Sequence, residues 1–195
     1  MARKLEHDLS DLKDRVLRMG SLVEDAIRKS IKALVERDRA LALAVIDGDS
    51  IINTHDVEIE EECIRLLAIW QPTGSNLRFI TTAIKIITDL ERMGDLAVDI
   101  CERTIELMDE PQLKPYIDIP RMAEASQQML KDSLDAFVEK DADLAVKVCA
   151  ADDFVDNLNQ QIFNELLVYM LQDPKNIARA VRLTYVAKYL ERVGD

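Results

Sequence analysis

Leu90-Glu91-Arg92-Met93-Gly94-Asp95 returns a hundred residues later as Leu190-Glu191-Arg192-Val193-Gly194-Asp195. In each copy a Glu precedes an Asp by four residues, so on a helix both carboxylates project from one side. Like charges so placed repel by about 0.2–0.5 kcal/mol, and a helical Gly costs roughly 1 kcal/mol against Ala. Two unfavourable choices repeated at matching places point to a shared task. They also divide the chain into two related halves.

Outward from the motif, the rest of the chain follows the same duplication. Ala33-Leu34-Val35-Glu36-Arg37-Asp38 is answered by Ala136-Phe137-Val138-Glu139-Lys140-Asp141, and Asp49 by Asp152, at an offset of 103 residues. The offset falls to 100 at the motif because the Asp173-Pro174-Lys175-Asn176 turn is shorter than Pro72-Thr73-Gly74-Ser75-Asn76. Leu9, Leu12, Val16, Met19, Val23, Ala26, Ser30 and Ala33 step by three or four, a helical seam of bundle type. Met122, Ala125, Met129, Ser133 and Ala136 form the corresponding seam of the second half. Asp38 is placed to cap a second helix, which Gly48 is expected to break or bend before it runs on to about Gln71. The third helix, from Leu77 to about Met108, carries the first motif, with Ile80, Ala83, Ile87, Leu90, Ala97 and Cys101 on its apolar arc.

Pro111, Pro115 and Pro120 crowd one interval and mark a linker, because proline lacks the amide donor and keeps the preceding residue out of a helix. The expected fold is all-α: two tandem antiparallel three-helix bundles, residues 1–110 and 118–195. In the first half helical pattern continues past Asp95 through Val98, Cys101 and Ile105. The last helix of the second half is therefore expected to be truncated.

Composition removes several functions. A net charge of −12 and a pI near 4.7 oppose nucleic-acid binding, which needs a basic footprint, and oppose loose docking on anionic lipid. No apolar run reaches the length of a membrane span. Cys63, Cys101 and Cys149 lie far apart, which argues against a disulfide framework and for a reducing cytosol with all three as small buried apolar residues. There is no Gly-x-Ser-x-Gly, P-loop, His-Glu-x-x-His or Rossmann glycine pattern, and no Glu-x-x-His of di-iron bundles. Gly94 and Gly194 are read as sites of close helix packing or ligand approach. His7 and His55 carry no ligand spacing.

The carboxylates remain. On the third helix Glu91, Asp95 and Asp99 border the apolar arc. Asp49, Asn53, Asp56 and Glu60 make a stripe on the second helix, and Asp152, Asp156 and Asn159 make the matching stripe on the fifth. Oxygen donors from adjacent helices suit hard or borderline cations, namely iron, manganese, magnesium, or zinc with carboxylate ligands. Glu24 could approach the first group, but its counterpart is Gln127.

The whole chain resembles the PhoU family of phosphate-specific transport system accessory proteins. The resemblance rests on Arg18-Met19-Gly20-x-Leu22-Val23-Glu24, on Leu66-Leu67 five residues before Pro72, on the doubled Leu-Glu-Arg-x-Gly-Asp, and on Asp173-Pro174 with Tyr185-Val186-Ala187. It implies two three-helix bundles related by a pseudo-twofold and a homodimer. It also implies multinuclear iron or zinc clusters on Asp49, Asn53, Glu91, Asp95, Asp152, Asp156, Glu191 and Asp195, with one anionic ligand fewer at Asn53. The function it implies is a cytoplasmic, non-enzymatic negative regulator of the phosphate-starvation regulon. Such a protein would link the phosphate ABC transporter ATPase to a sensor histidine kinase and reach the membrane only through them. A carboxylate-bridged di-iron enzyme and a metal-free helical adaptor are the alternatives.

Overall fold

Among residues 2–195, which the computed structural model describes, the chain forms α1 (Ala2–Glu36), α2 (Arg39–Trp70), α3 (Gly74–Leu107), α4 (Asp118–Glu139), α5 (Ala142–Gln172) and α6 (Ile177–Gly194). A 3-10 turn at Pro174–Asn176 leads into α6, and the described residues contain no β-strand. The duplicated sequence builds duplicated corners. Arg37 (φ 55°) and Lys140 (φ 58°) end α1 and α4 in the left-handed region. The next residue then caps the following helix: Asp38 Oδ1 accepts the Leu41 amide at 3.0 Å, and Asp141 Oδ1 accepts the Leu144 amide at 2.9 Å. Such caps satisfy amides that a helix start leaves without partners. Gly74 (φ 60°) opens α3 in a conformation where a side chain would be strained. Pro120 lies in the first turn of α4, where no intrahelical donor is lost.

The apolar seams face inward as their spacing requires. Leu12, Val16, Met19, Val23 and Ala33 on α1 are fully buried, as are Ile80, Ala83, Ala97 and Cys101 on α3. On α4 the buried residues include Met122, Ser126, Met129, Leu130, Leu134 and Ala136. Ser133 is exposed, contrary to the seam read from sequence, because the inward face turns through Leu130 and Leu134 and leaves Ser133 at its border. Gly48 does not interrupt α2. Asp38 caps the helix on one side of it, and the core residues Ala42, Val45 and Ile52 continue across it, so packing outweighs one glycine's propensity. Cys63 and Cys101 are buried, but Cys149 on α5 is exposed.

Each half closes on itself, and the halves meet through α1 against α4 and α3 against α6. Each contact pairs a helix with its own repeat counterpart, as a pseudo-twofold demands. At the α1–α4 crossing, Leu134 Cδ1 fills the place a side chain on Gly20 would take. At the α3–α6 seam Arg182 donates to Glu106 at 2.8 Å. Arg37 ties the end of α3 down through the carbonyls of Leu107, Met108 and Glu110 at 3.2, 2.9 and 2.7 Å. Helices α2 and α5 contact only their own halves and form the two outer sides.

Candidate metal centre

The motif helices meet the outer helices along two equivalent lines, α3 against α2 and α6 against α5. Gly94 is buried on the face of α3 turned to α2. A Cβ there would lie 3.2 Å from Asp49 Oδ1 and from Ile52 Cδ1. At Gly194 the same construction falls 3.4 Å from Asp152 Oδ1 and 3.5 Å from Met129 Cε. The repeated glycine is thus the flat spot on which an aspartate of the neighbouring helix rests. Its absent side chain explains the tolerated loss of helix propensity.

Those aspartates are placed at a cost. Asp49 Oδ1 and Asp152 Oδ1 are both buried without a hydrogen-bond partner, and a buried carboxylate oxygen left unpaired is destabilising. The other oxygen of Asp49, Oδ2, accepts from the Asn53 amide at 2.8 Å. The carboxyl groups feel one another's charge. Burial chiefly raises the Asp49 pKa, and Asp95 adds to the rise while the Asn53 bond opposes it. Glu91 is raised by burial and then by Asp95, Asp56 and Asp49. Asp152 is raised by burial and then by Asp156, Asp195, Glu191 and Asp153. In each half, therefore, the residues singled out from sequence lie within electrostatic reach of one another, and the two groups are built alike.

The donor sets are related by an exchange. The first holds Asp49, Asn53, Asp56, Glu91 and Asp95. The second holds Asp152, Asp156, Asn159, Glu191 and Asp195. Each therefore has four carboxylates and one amide, with acid and amide traded between two neighbouring turns. Asp56, read in the stripe but not among the ligand candidates, supplies the negative charge that Asn53 lacks.

Several other acids serve elsewhere. Asp99 sits beside Arg103 and Arg192 as well as Asp95. Glu24 faces Lys131 and Asp135 of α4, not the first carboxylate group. Arg103 is only 28% exposed and pairs at 2.7 Å with Glu106, which also accepts from Arg182 of α6. His7 pairs with Asp11 at 3.0 Å on the surface.

Orphaned oxygens, glycine cradles and an all-oxygen donor set fit a hard or borderline cation in each group. Among the described residues no three His, Cys, Asp or Glu side chains are drawn together at ion-holding distance. Holding an ion would therefore take side-chain rotation at the exposed Asp95, Asp156 and Asp195. Lys188 was not anticipated as part of this site. Its ammonium forms an ion pair with Glu191, and the readable signal was a Lys three residues before the second Glu where the first motif has Thr88.

Comparison with known proteins agrees with this architecture. The PhoU domain matches residues 16–104 and 119–195. A phosphate-specific transport system accessory protein PhoU homolog of Aquifex aeolicus is 46% identical over 189 residues, covering 97% of this chain and 86% of that protein. The homolog of Clostridium acetobutylicum is 44% identical over 197 residues, covering 100% and 90%. The crystal structure of PhoU from Pseudomonas aeruginosa superposes with a TM-score of 0.92 at 37% identity, covering 97% of this chain and 91% of that one. The phosphate transport system regulatory protein PhoU from Streptococcus pneumoniae gives a TM-score of 0.90 at 29% identity, covering 98% and 90%. With duplicated bundles, doubled motif and full-length likeness in agreement, the chain belongs to the PhoU family.

Proposed function

We propose that this protein is a negative regulator of the phosphate-starvation regulon and a modulator of phosphate transport. It acts as a cytoplasmic, non-enzymatic adaptor between the phosphate ABC transporter ATPase and a sensor histidine kinase. The observation that carries this reading is the full-length likeness to relatives named as accessory proteins of phosphate-specific transport. No helix among the described residues is long and apolar enough to cross a membrane, which is compatible with recruitment through protein partners.

The two carboxylate groups supply its metal-binding part. Asp49, Asn53, Asp56, Glu91 and Asp95 would hold ions in the first half, and Asp152, Asp156, Asn159, Glu191 and Asp195 in the second. Iron or zinc is the leading choice, with manganese or magnesium as alternatives. A cation held there would neutralise carboxylates that otherwise repel, and so would tie α2 to α3 and α5 to α6. The chain's own part is to present oxygens on rigid helices, to keep Asp49 and Asp152 against glycine, and to shield one oxygen of each from water. Assembly as a homodimer belongs to the same proposal.

The test is complementation. In a cell lacking its own copy, the chain should lower phosphate-regulon expression in high phosphate, and a pull-down should recover the kinase or the ATPase without lipid. No effect on the regulon together with no capture of either partner would refute the adaptor reading. Oxygen consumption by an iron-loaded preparation would favour the di-iron enzyme instead.

A further inference from the structure

The two carboxylate groups share a donor count but differ in their counter-charge. Glu191 is only 9% exposed, and its Oε2 is fully buried. The group nearest that oxygen is the Lys188 ammonium, in a close ion pair that lacks the alignment of a good hydrogen bond. Lys188 lies one turn before Glu191 and is itself half exposed, so its long side chain can swing to solvent.

Glu91 in the first group has no equivalent partner. Thr88 stands at the corresponding position and turns its hydroxyl back to the Ile84 carbonyl at 3.1 Å. Arg92, next to Glu91, pairs instead with Asp89 at 3.6 Å on the exposed side. Glu91 forms no ion pair among the described residues. A second difference runs the same way. Beside Asp49 and Gly94 lies a cavity of about 150 Å³ bordered by Leu22, Ala26 and Val45 and by Lys29, whose ammonium is held by Asp25. In the second half the counterpart of Ala26 is Met129, whose Cε packs toward Gly194.

We infer that Lys188 is the built-in counter-ion of the second group, so that divalent cations load the Glu91–Asp95 group first and enter the Glu191–Asp195 group only as the Lys188 side chain leaves. This rests on the metal-binding reading above and adds an order of filling to it. The physics is direct. A buried carboxylate needs a positive partner. The chain supplies one at Glu191, whereas Glu91, only partly buried and without an ion pair among the described residues, stays open to a cation from solution. An incoming cation at the second group meets an ammonium of like charge a few ångströms away, a repulsion that surface water only partly screens.

The experiment is a Mn2+ titration of the full chain, following free ion by its electron paramagnetic resonance signal, with circular dichroism to confirm folding. Wild type should titrate in two phases, the tighter one lost in Glu91→Ala with Asp95→Ala. Lys188→Met should tighten the weaker phase, on the order of tenfold, and leave the tight phase in place. Thr88→Lys, on the exposed side of α3, should weaken the tight phase by a similar factor, and this arm does not depend on the fold of the Lys188 variant. Two phases unmoved by either substitution, or equal affinities in wild type, would overturn this inference and leave metal binding intact. No Mn2+ uptake by wild type or by Lys188→Met would overturn both.

Discussion

Gly94 and Gly194 occupy equivalent turns, yet a few tenths of an ångström separate what they tolerate. A Cβ at Gly94 meets Asp49 and two carbons of Ile52 at 3.2–3.3 Å, with Ile52 itself held in the core. Gly94→Ala should therefore destabilise the metal-free protein by about 1–3 kcal/mol through overpacking, against a gain of roughly 1 kcal/mol in propensity. Gly194→Ala, with contacts of 3.4–3.7 Å, should fall within about 1 kcal/mol of wild type. Urea denaturation of both variants checks this, and the reverse order would mean that the glycines are not there for close approach. The carboxylates predict a pH effect. The Glu91 pKa is raised by burial and then by its acidic neighbours, so the native state keeps its proton to higher pH than the unfolded chain does. That contribution to stability is present below the ordinary Glu range and is lost as pH rises through the raised value. Without metal, Glu91→Gln should gain in melting temperature relative to wild type as pH goes from 4 to 7. A difference that shrinks over that range would contradict the clustering. From sequence the glycines and acids could be read as reserved positions, because propensity and repulsion both oppose them. That Asp49 is the atom resting on Gly94 could not, since an inter-helix contact leaves no mark in local spacing.

At the scale of the helices, the linker at Pro111 and Pro115, the capping Asp38, and the seams of α1 and α3 were legible, because each depends on spacing or on one residue's backbone chemistry. The outer helix α5 was not. It buries Val155, Leu158, Ile162 and Leu166, but it also exposes Val146, Phe154, Phe163, Val168 and Leu171. With apolar residues on most sides, periodicity does not say which face is inside. Gly48 misled for a related reason. A glycine weakens a helix locally, but tertiary packing on either side of it held α2 continuous. A Cβ at Gly48 meets nothing within 4 Å, so Gly48→Ala should stabilise the protein by roughly 1 kcal/mol, from helix propensity and lost unfolded-state freedom. Thermal melts test it, and a destabilised variant would show that α2 needs a flexible point there.

For the molecule as a whole, the tandem repeat gave two bundles, but nothing in either repeat says how they join. Pairing α1 with α4 and α3 with α6 depends on side chains such as Leu134, Arg182 and Glu106, which are far apart in sequence and belong to no motif. The arrangement leaves α2 and α5 outermost, so each carboxylate group lies between an inner motif helix and an outer helix, once in each half. Two-site metal binding by this duplicated frame is the central claim. Elemental analysis tests it most directly, on protein purified without chelator or added metal, beside Glu91→Ala with Asp95→Ala and Glu191→Ala with Asp195→Ala. Wild type should carry bound iron, zinc or manganese, lost mainly from the first double variant, with the helical circular dichroism of both variants unchanged. Equal metal content in all three proteins would contradict it.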